Sequence, residues 1–375
     1  MKLLFLIFHG FSESSGVSKK IYYQVKALRD CGVDVHFCYY DIDATGRRSW
    51  VVNDKKIIDL GYGKWAKIKK RIDFSPIVRY AKENQIDFTY IRSYHNANPF
   101  TIHFVKELNK ANIRSVIEVP TYPYDQEYIT LRSKIDLAVD KCFRWQLAKQ
   151  LVGIVTFSEA TTIFGQKTIR ISNGIDFSAI RMKSMVNDTI KQIHLIGVAE
   201  VHFWHGFDRV IKGLAEYYKK EREYKVYFHI VGEAFSEREK RDVFEPIKAL
   251  GLEEYVIAHG AQHGEALDNL FDSSDLGIGS LGRHRSNITQ IKTLKNREYA
   301  ARGIPFVYSE MDSDFDSRDY VFKEPADESP INIEPLIEFY HSKSWSPQEI
   351  RDSIQDLSWK QQMQKVINYL NAIKG

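Results

Sequence analysis

Short apolar runs alternating with stretches of helical spacing constrain this chain more than any other feature. The runs Leu3–Phe8, Val33–Tyr39, Lys56–Leu60, Phe88–Arg92, Ser115–Val119 and Gly153–Phe157 are separated by helical patterns near residues 16–30, 64–84, 98–112 and 127–149. Apolar strands interleaved with helices predict a parallel sheet covered on both faces. A further strand, Ile169–Ile171, leads into a polar stretch ending at Asp188, and the alternation then restarts. Strands are expected at Ile193–Val198, Val226–Val231, Val256–His259, Leu276–Ile278 and Pro305–Tyr308, with helices near 206–222, 235–250, 264–272 and 293–302. Two Rossmann-like doubly wound α/β domains in tandem account for this pattern, and 375 residues is a length for two domains. The boundaries read as 1–172 and 173–345. The helical segment 346–375, apolar at Ile350, Ile354, Leu357, Met363, Val366, Ile367 and Leu370, is expected to cross back onto the first domain.

Composition narrows the class. A hydrophobic fraction of 43% with 27% charged residues excludes a disordered chain, a collagen-like fibre and a disulfide scaffold. The three cysteines, Cys31, Cys38 and Cys142, form no C-x-x-C pair and suit a reducing compartment. No apolar run reaches the roughly 18–20 residues that span a bilayer. The opening Met1–His9 reads as a buried first strand rather than a signal peptide, since its apolar core is only about six residues with no cleavage site after it. A cytoplasmic location is expected. The net charge of +4 hides an asymmetry: residues 1–180 carry 27 basic against 18 acidic side chains, and residues 181–375 carry 26 against 31. The halves are therefore +9 and −5.

Several motifs sit at strand ends. The loop His9–Gly16 joins the first strand to a helix; its small residues either cradle an anion at the helix N-terminus or form an ordinary turn capped by Ser14 or Ser15. Gly277–Gly282 matches G-x-G-x-x-G, but Arg283-His-Arg-Ser-Asn follows where a helix should open, which argues against a nicotinamide site. Asp312-Ser-Asp314 has the form of a metal-binding D-x-D inside an acidic run that reads more simply as a solvated loop. In Lys295–Val307 a helix carrying Glu298 ends at Gly303, and Pro305 leads into a strand. A carboxylate on the first turns of that helix can take both hydroxyls of a ribose, and Lys295 can meet a phosphate as a point charge. Lys64–Phe74 places Trp65, Ile68 and Ile72 on one helical face among five basic residues. That face suits an anionic membrane surface or packs on the sheet.

The Ser15-Gly16 loop, Ile171-Ser-Asn-Gly-Ile-Asp176, Trp204-His-Gly-Phe-Asp-Arg209, Val231-Gly-Glu233 and Leu294–Tyr299 through Pro305 together resemble the retaining GT-B glycosyltransferases of family four over nearly the full length. Glu118–Asp125 more loosely resembles a motif of bacterial surface-polysaccharide members. The resemblance implies transfer of a sugar from a nucleotide-sugar donor, bound by the C-terminal domain, to a glycan or polyprenyl-diphosphate-linked acceptor bound by the N-terminal one. Anomeric configuration would be retained, with no cofactor, no metal and no nucleic-acid partner. It implies that Glu298 takes the ribose, that Lys295, His205 and the Ser15-Gly16 loop take the diphosphate, and that Arg209, Gly232 and Leu294 line the donor site. Glu118 falls in the catalytic region of the N-terminal domain, and Tyr122, Tyr124 and Asp125 would face the acceptor. The chain departs from the family pattern in places. Gln290 stands where the first of two glutamates is usual, and Ala199-Glu200 where a phosphate-binding cation is usual. His205 and Arg209 could replace those cations, or Arg209 could pair with a surface acid such as Glu216. A sugar-nucleotide epimerase and a non-catalytic partner subunit are the competing readings.

Overall fold

The apolar runs of residues 1–172 become one sheet of nine strands: β1 (Lys2–Leu6), β2 (Asp34–Ile42), β3 (Arg48–Val52), β4 (Lys55–Gly61), β5 (Phe88–Arg92), β6 (Arg114–Val119), β7 (Gly153–Thr156), β8 (Thr162–Ile163) and β9 (Gln166–Arg170). The computed structural model describes residues 1–10, 16–92, 97–125, 128, 130–184 and 191–374. It divides into two units, Met1–Ser172 with Trp359–Gly375, and Asn173–Ser358. Strand order in the first unit is β4-β3-β2-β1-β5-β6-β7-β9-β8. The central strands are parallel, and the connecting helices are α1 (Gly16–Asp30), α2 (Gly63–Ile72), α3 (Ser75–Glu83), α4 (Pro99–Lys110) and α5 (Leu131–Ala148). Local signals explain the boundaries: Asn98 caps α4 in a reciprocal box with Thr101, ahead of Pro99 in the first turn.

Two expectations change in this unit. The strand at Lys56–Leu60 is half of an antiparallel hairpin with β3. Its two-residue loop, Asn53-Asp54, has φ of 47° and 63°, the left-handed pair that a tight hairpin turn demands. The helix expected over 64–84 breaks at Asp73, whose carboxylate accepts from the Ser75 N–H at 3.0 Å, and Pro76 then starts α3. On α2 the apolar face does not pack on the sheet. Trp65, Ile68 and Ile72 are 74%, 43% and 43% exposed, and Ala66 is the buried residue of the helix.

The second unit is a six-stranded sheet of order β12-β11-β10-β13-β14-β15, parallel throughout. Its strands are β10 (Gln192–Val198), β11 (Lys225–Val231), β12 (Val256–Gly260), β13 (Leu276–Ile278), β14 (Phe306–Tyr308) and β15 (Val321–Lys323). The helices are α6 (Phe207–Tyr217), α7 (Glu237–Glu239), α8 (Glu245–Ala249), α9 (Gly264–Asp272), α10 (Leu294–Arg302), α11 (Ile333–Ser342) and α12 (Pro347–Asp352). β15 and α11 are not anticipated by the apolar pattern. Neither is the division of 346–375. Ser346 caps α12 with Glu349, and a 3-10 turn at Gln355–Leu357 ends the segment. Ile350, Ile354 and Leu357 bury in the second unit. Only Trp359–Lys374 forms the terminal helix, and its Trp359, Met363, Val366, Ile367 and Leu370 pack with Ile21, Val25 and Leu28 of α1. One continuous apolar period thus serves two cores. Among the described residues no helix is long and apolar enough to cross a membrane, and all three cysteines are free.

Three imidazoles form a hydrogen-bonded row across β10, β11 and β12. His194 Nδ1 lies 2.9 Å from His229 Nε2, and His229 Nδ1 lies 2.9 Å from His259 Nε2. Burial, then the neighbouring His194 and His259, lowers the His229 pKa to about 4. The unfolded chain therefore binds the proton that the folded ring refuses, and stability falls as pH drops below about 6.5 toward 4. Urea unfolding at pH 7 and pH 5 should differ by about 1–2 kcal/mol from this group, and His229→Phe should flatten that part of the profile. An unchanged profile would remove the assignment.

Candidate functional site

The carboxyl ends of β13 and β14 and the first turn of α10 bring together a set of buried polar atoms with no hydrogen-bond partner among the described residues. They are Ser280 Oγ after β13, both carboxylate oxygens of Glu310 after β14, and Thr293 Oγ1, Lys295 Nζ and Asn296 Oδ1 at the start of α10. Each such atom costs on the order of 1–3 kcal/mol when left unsatisfied. A cluster of them at the strand ends of a doubly wound sheet is where that topology binds ligands. Thr293, the residue preceding α10, makes no side-chain cap, so the first N–H groups and the positive end of the helix dipole remain for an anion.

The electrostatics have the same sense. Part of the Lys295 stem reaches the surface, but its ammonium is buried, 5.4 Å from the Phe207 ring centroid. Burial and then Arg283 push its pKa down to about 7, and Glu310 only partly opposes them. Glu310 is 2% exposed; burial raises its carboxyl to about 7, against the charges of Arg283 and Lys295. His205, in the 3-10 turn Phe203–His205, is buried. Its Nδ1 accepts the His202 N–H at 3.1 Å, which leaves the proton of the neutral ring on Nε2. Burial first, then Lys295 and Arg283, holds that ring well below the usual histidine pKa. Lys295, Arg283 and the neutral His205 thus form a largely buried group of donors in which the charge of Arg283 disfavours that of Lys295.

Glycines shape this cradle. A Cβ on Gly279 would sit 2.9 Å from Asn296 Oδ1 and from Tyr308 Cβ, and one on Gly206 (φ 67°) would sit 2.7 Å from the Leu281 carbonyl carbon. A Cβ on Gly277 would meet the Tyr299 ring at 2.6 Å. The G-x-G-x-x-G spacing therefore reflects close packing, and a short 3-10 turn, Arg283–Ser286, follows it.

No family model matches the chain, and no curated protein matches it in sequence. Solved structures do match. A glycosyltransferase from Rickettsia africae superposes with a TM-score of 0.65 at 13% identity, covering 100% of this chain and 98% of that one. Anabaena Alr3699/HepE in complex with UDP gives 0.64 at 16% identity, covering 99% and 100%. The UDP-GlcNAc 2-epimerase of Methanocaldococcus jannaschii gives 0.53 at 10% identity, covering 99% and 100%. The chain has the GT-B fold. In GT-B terms the cluster just described lies in the C-terminal Rossmann-like unit, on the side of its sheet where the strands end.

The structure places the expected residues unequally. Lys295, Leu294 and Glu298 share the first turns of α10, and His205 interacts electrostatically with Lys295. Leu294 is 38% exposed. Glu298 is partly exposed, and its Oε1 accepts from Arg302 Nε and Nη2, both at 3.1 Å. Arg209 is a correction: it is fully buried, and its guanidinium donates to the carbonyls of Leu281, Pro325 and Ser329 at 2.5, 3.0 and 2.7 Å. With Asp327 as its acid partner, it fastens the loop after β15 and does not pair with Glu216 or face a phosphate.

Gly232 is set by backbone packing. Its φ is 135°, and a Cβ there would lie 1.7 Å from the Ala199 carbonyl oxygen. Gly232→Ala should cost at least about 3 kcal/mol of stability, the upper end for a strained backbone position. A denaturation midpoint within 0.5 kcal/mol of wild type, a margin of about the scatter for surface changes, would contradict this. Asp312 and Asp314 both pair with Arg297. Among the described residues no group of three or more His, Cys, Asp and Glu is arranged to hold a metal ion.

Glu118 is likewise a correction. It has 0% exposure on β6, inside the first unit. Its Oε2 accepts from Tyr90 at 2.5 Å and Gln24 at 2.8 Å, and Lys20 and Arg92 lie 3.8 and 3.9 Å from Oε1. Burial alone would raise its pKa, but Lys20, Arg92 and these hydrogen bonds outweigh it and hold the carboxyl low. It belongs to a buried ion cluster with Lys20 and Arg92, and its Oε1 makes no hydrogen bond among the described residues. Tyr124 is buried with its hydroxyl on Asp140 at 2.7 Å, so it too is committed internally. Asp125 pairs with Arg144 at 2.8 Å and Lys141 at 2.9 Å, and Tyr122 packs edge-on against Phe164. Gly16 opens α1; Ser15 lies outside the described residues. Sequence reasoning missed Arg283, Glu310, Ser280 and Asn296. Arg283 directly follows the glycine motif and Glu310 lies just beyond the strand that Pro305 introduces, so strand-end position was the available signal.

Proposed function

We propose that this chain is a glycosyltransferase that moves a sugar from a nucleotide-sugar donor to a glycan or lipid-linked acceptor with retention of anomeric configuration. The observation that carries the reading is the unpaired buried cluster around Lys295, which suits a diphosphate. In this account the α10 N–H groups, Lys295, Arg283 and the His205 Nε2–H neutralise the departing nucleoside diphosphate, and Glu298 accepts the ribose hydroxyls. The bond between the anomeric carbon and the phosphate oxygen breaks, and the acceptor oxygen forms the new bond on the same face. The acceptor proton passes to the departing phosphate oxygen, so no protein base is required. The UDP bound by the Anabaena structure supports a nucleotide site in this fold. The lower TM-score of the epimerase gives that alternative less support. Gln290, exposed and in place of a family glutamate, and Ala199-Glu200, in place of a phosphate-binding cation, favour a non-catalytic subunit.

A thermal-shift panel of UDP-, GDP-, ADP- and CMP-sugars tests the proposal, because a donor that binds only the folded state raises its melting temperature by mass action. One nucleotide class should stabilise the chain, and Glu298→Ala should weaken that shift. Absence of any shift would count against the transferase. Binding without sugar transfer to any acceptor would favour the subunit reading.

A further inference from the structure

The transfer chemistry employs the cations of the buried cluster and leaves its hydrogen-bond acceptors without a role. Ser280, Asn296 and Glu310 are 0%, 0% and 2% exposed, yet Ser280 Oγ, Asn296 Oδ1 and both Glu310 carboxylate oxygens have no hydrogen-bond partner among the described residues. Backbone pairing brings them together. The Ser309 N–H donates to the Ser280 carbonyl at 3.0 Å, which sets Ser280 beside the residue before Glu310. Gly279 packs so close to Asn296 that a Cβ on it would sit 2.9 Å from Oδ1. The sense of the Asn296 amide is fixed, because Nδ2 donates to Asp312 Oδ2 at 3.3 Å. The uncommitted atom is therefore the acceptor.

The cluster has two sides. In the sheet order β10-β13-β14, the cationic side lies toward β10: His205 and Phe207 follow that strand, and Lys295 Nζ is 5.4 Å from the Phe207 ring centroid. The acceptor side lies toward β14, where Glu310 follows the strand and Asn296 is tied to Asp312. The sides are near enough for Arg283 and Lys295 to act on the Glu310 carboxyl. A phosphate satisfies the first side only. Its oxygens find no proton on Asn296 Oδ1 and are repelled by an ionised carboxylate. Buried acceptors of this kind call for O–H or N–H groups from a ligand. A glycosyl phosphate carries hydroxyls close to its anomeric carbon, so one molecule meets both sides.

We infer that the acceptor side binds the transferred sugar, which is an uncharged hydroxylated sugar and not a carboxylated one. Glu310 accepts from one of its hydroxyls, and Asn296 Oδ1 and Ser280 Oγ take others. A carboxylate on the sugar would face Glu310 with like charge and leave a buried acceptor unpaired. A site built on hydrogen bonds rejects a ligand that lacks the matching group far more strongly than an apolar pocket does. This role rests on the donor site proposed above and gives that site its class of sugar. Its measure is the affinity that the sugar adds to the nucleoside diphosphate, so its failure and the failure of nucleotide binding are separate results.

The test is calorimetric titration of the full chain at pH 8, above the value of about 7 for the Glu310 carboxyl. The ligands are UDP with UDP-glucose, UDP-galactose and UDP-glucuronate, GDP with GDP-mannose and GDP-mannuronate, and ADP with ADP-glucose. In the class that binds, an uncharged sugar should tighten binding over its nucleoside diphosphate, and a uronate should bind about tenfold more weakly than the uncharged conjugate. Glu310→Gln keeps the shape and strands no protein partner. It should weaken binding of the uncharged conjugate about tenfold, while the nucleoside diphosphate binds as tightly as to wild type or more tightly. Ser280→Ala should act in the same sense with a smaller loss. A uronate bound as tightly as the uncharged conjugate, a sugar gain unchanged in both variants, or an equal loss for nucleotide and conjugate in Glu310→Gln would overturn the assignment. Nucleotide binding with no gain from any sugar would overturn it and leave the diphosphate site standing. No binding of any ligand would overturn both.

Discussion

Replacing Arg297 with Met should destabilise the chain by about 3–5 kcal/mol, the loss expected when one partner of a buried ion pair is removed. Arg297 is fully buried. Its guanidinium donates to Asp312 Oδ2 at 2.6 Å and Oδ1 at 3.1 Å, to Asp314, and to the carbonyls of Asn173 and Thr293, both at 3.0 Å. The side chain therefore binds three separate segments: the start of the second unit, the first turn of α10 and the loop after β14. With methionine the volume is retained, but the carboxylate of Asp312, 1% exposed, is left with weak 3.3 Å contacts from Asn296 Nδ2 and the Asp314 N–H. Lysine at the same position should recover part of the loss, since it supplies charge without the planar fork. Chemical denaturation of the full chain measures this. A loss under about 1 kcal/mol, the range of an exposed pair, would mean that the network contributes specificity alone.

Lys295→Met should lower turnover with the stabilising donor by about 10²-fold, with little change in melting temperature. A charge-assisted hydrogen bond to a developing anion is worth about 1.5–3 kcal/mol, and removal of a preorganised electrostatic contact costs more in the transition state than in the ground state. The buried ammonium makes no protein hydrogen bond that its loss would break. Removing it also relieves repulsion from Arg283. A variant with wild-type turnover would place the diphosphate elsewhere. In the wild type, affinity for the diphosphate should weaken as pH rises through about 7, because the free ammonium loses its proton there.

The fold was legible because parallel strands buried on both faces leave continuous apolar runs, and these survive reading without any tertiary information. The β3–β4 hairpin escaped because β3 reads Arg-Ser-Trp-Val-Val and the turn Asn53-Asp54 lacks the glycine that usually marks it. The terminal helix was drawn too long since its apolar period continues across Ser358, where the chain passes from one core to the other. In the candidate site, Lys295 and Glu298 were legible as a cation and a carboxylate on one helix at a strand edge. Glu310 and Arg283 were not, because what distinguishes them is burial next to like or unlike charge, and spacing carries no record of that. Arg209 and Glu118 were misread for the converse reason. Each is a charged residue near a motif, and only the folded chain shows Arg209 bonded to internal carbonyls and Glu118 buried among Tyr90, Gln24, Lys20 and Arg92.

The central claim, that the Lys295 cluster receives a nucleoside diphosphate, is tested most directly by calorimetric titration of the chain with UDP, GDP, ADP and CDP at pH 8 in two buffers of different ionisation heat. One nucleotide should bind with net proton uptake, because an arriving phosphate raises the pKa of both Lys295 and Glu310 from about 7. Lys295→Met should bind at least tenfold more weakly and take up less. Failure of all four nucleotides to bind, or binding with the same affinity and proton uptake in Lys295→Met, would contradict it.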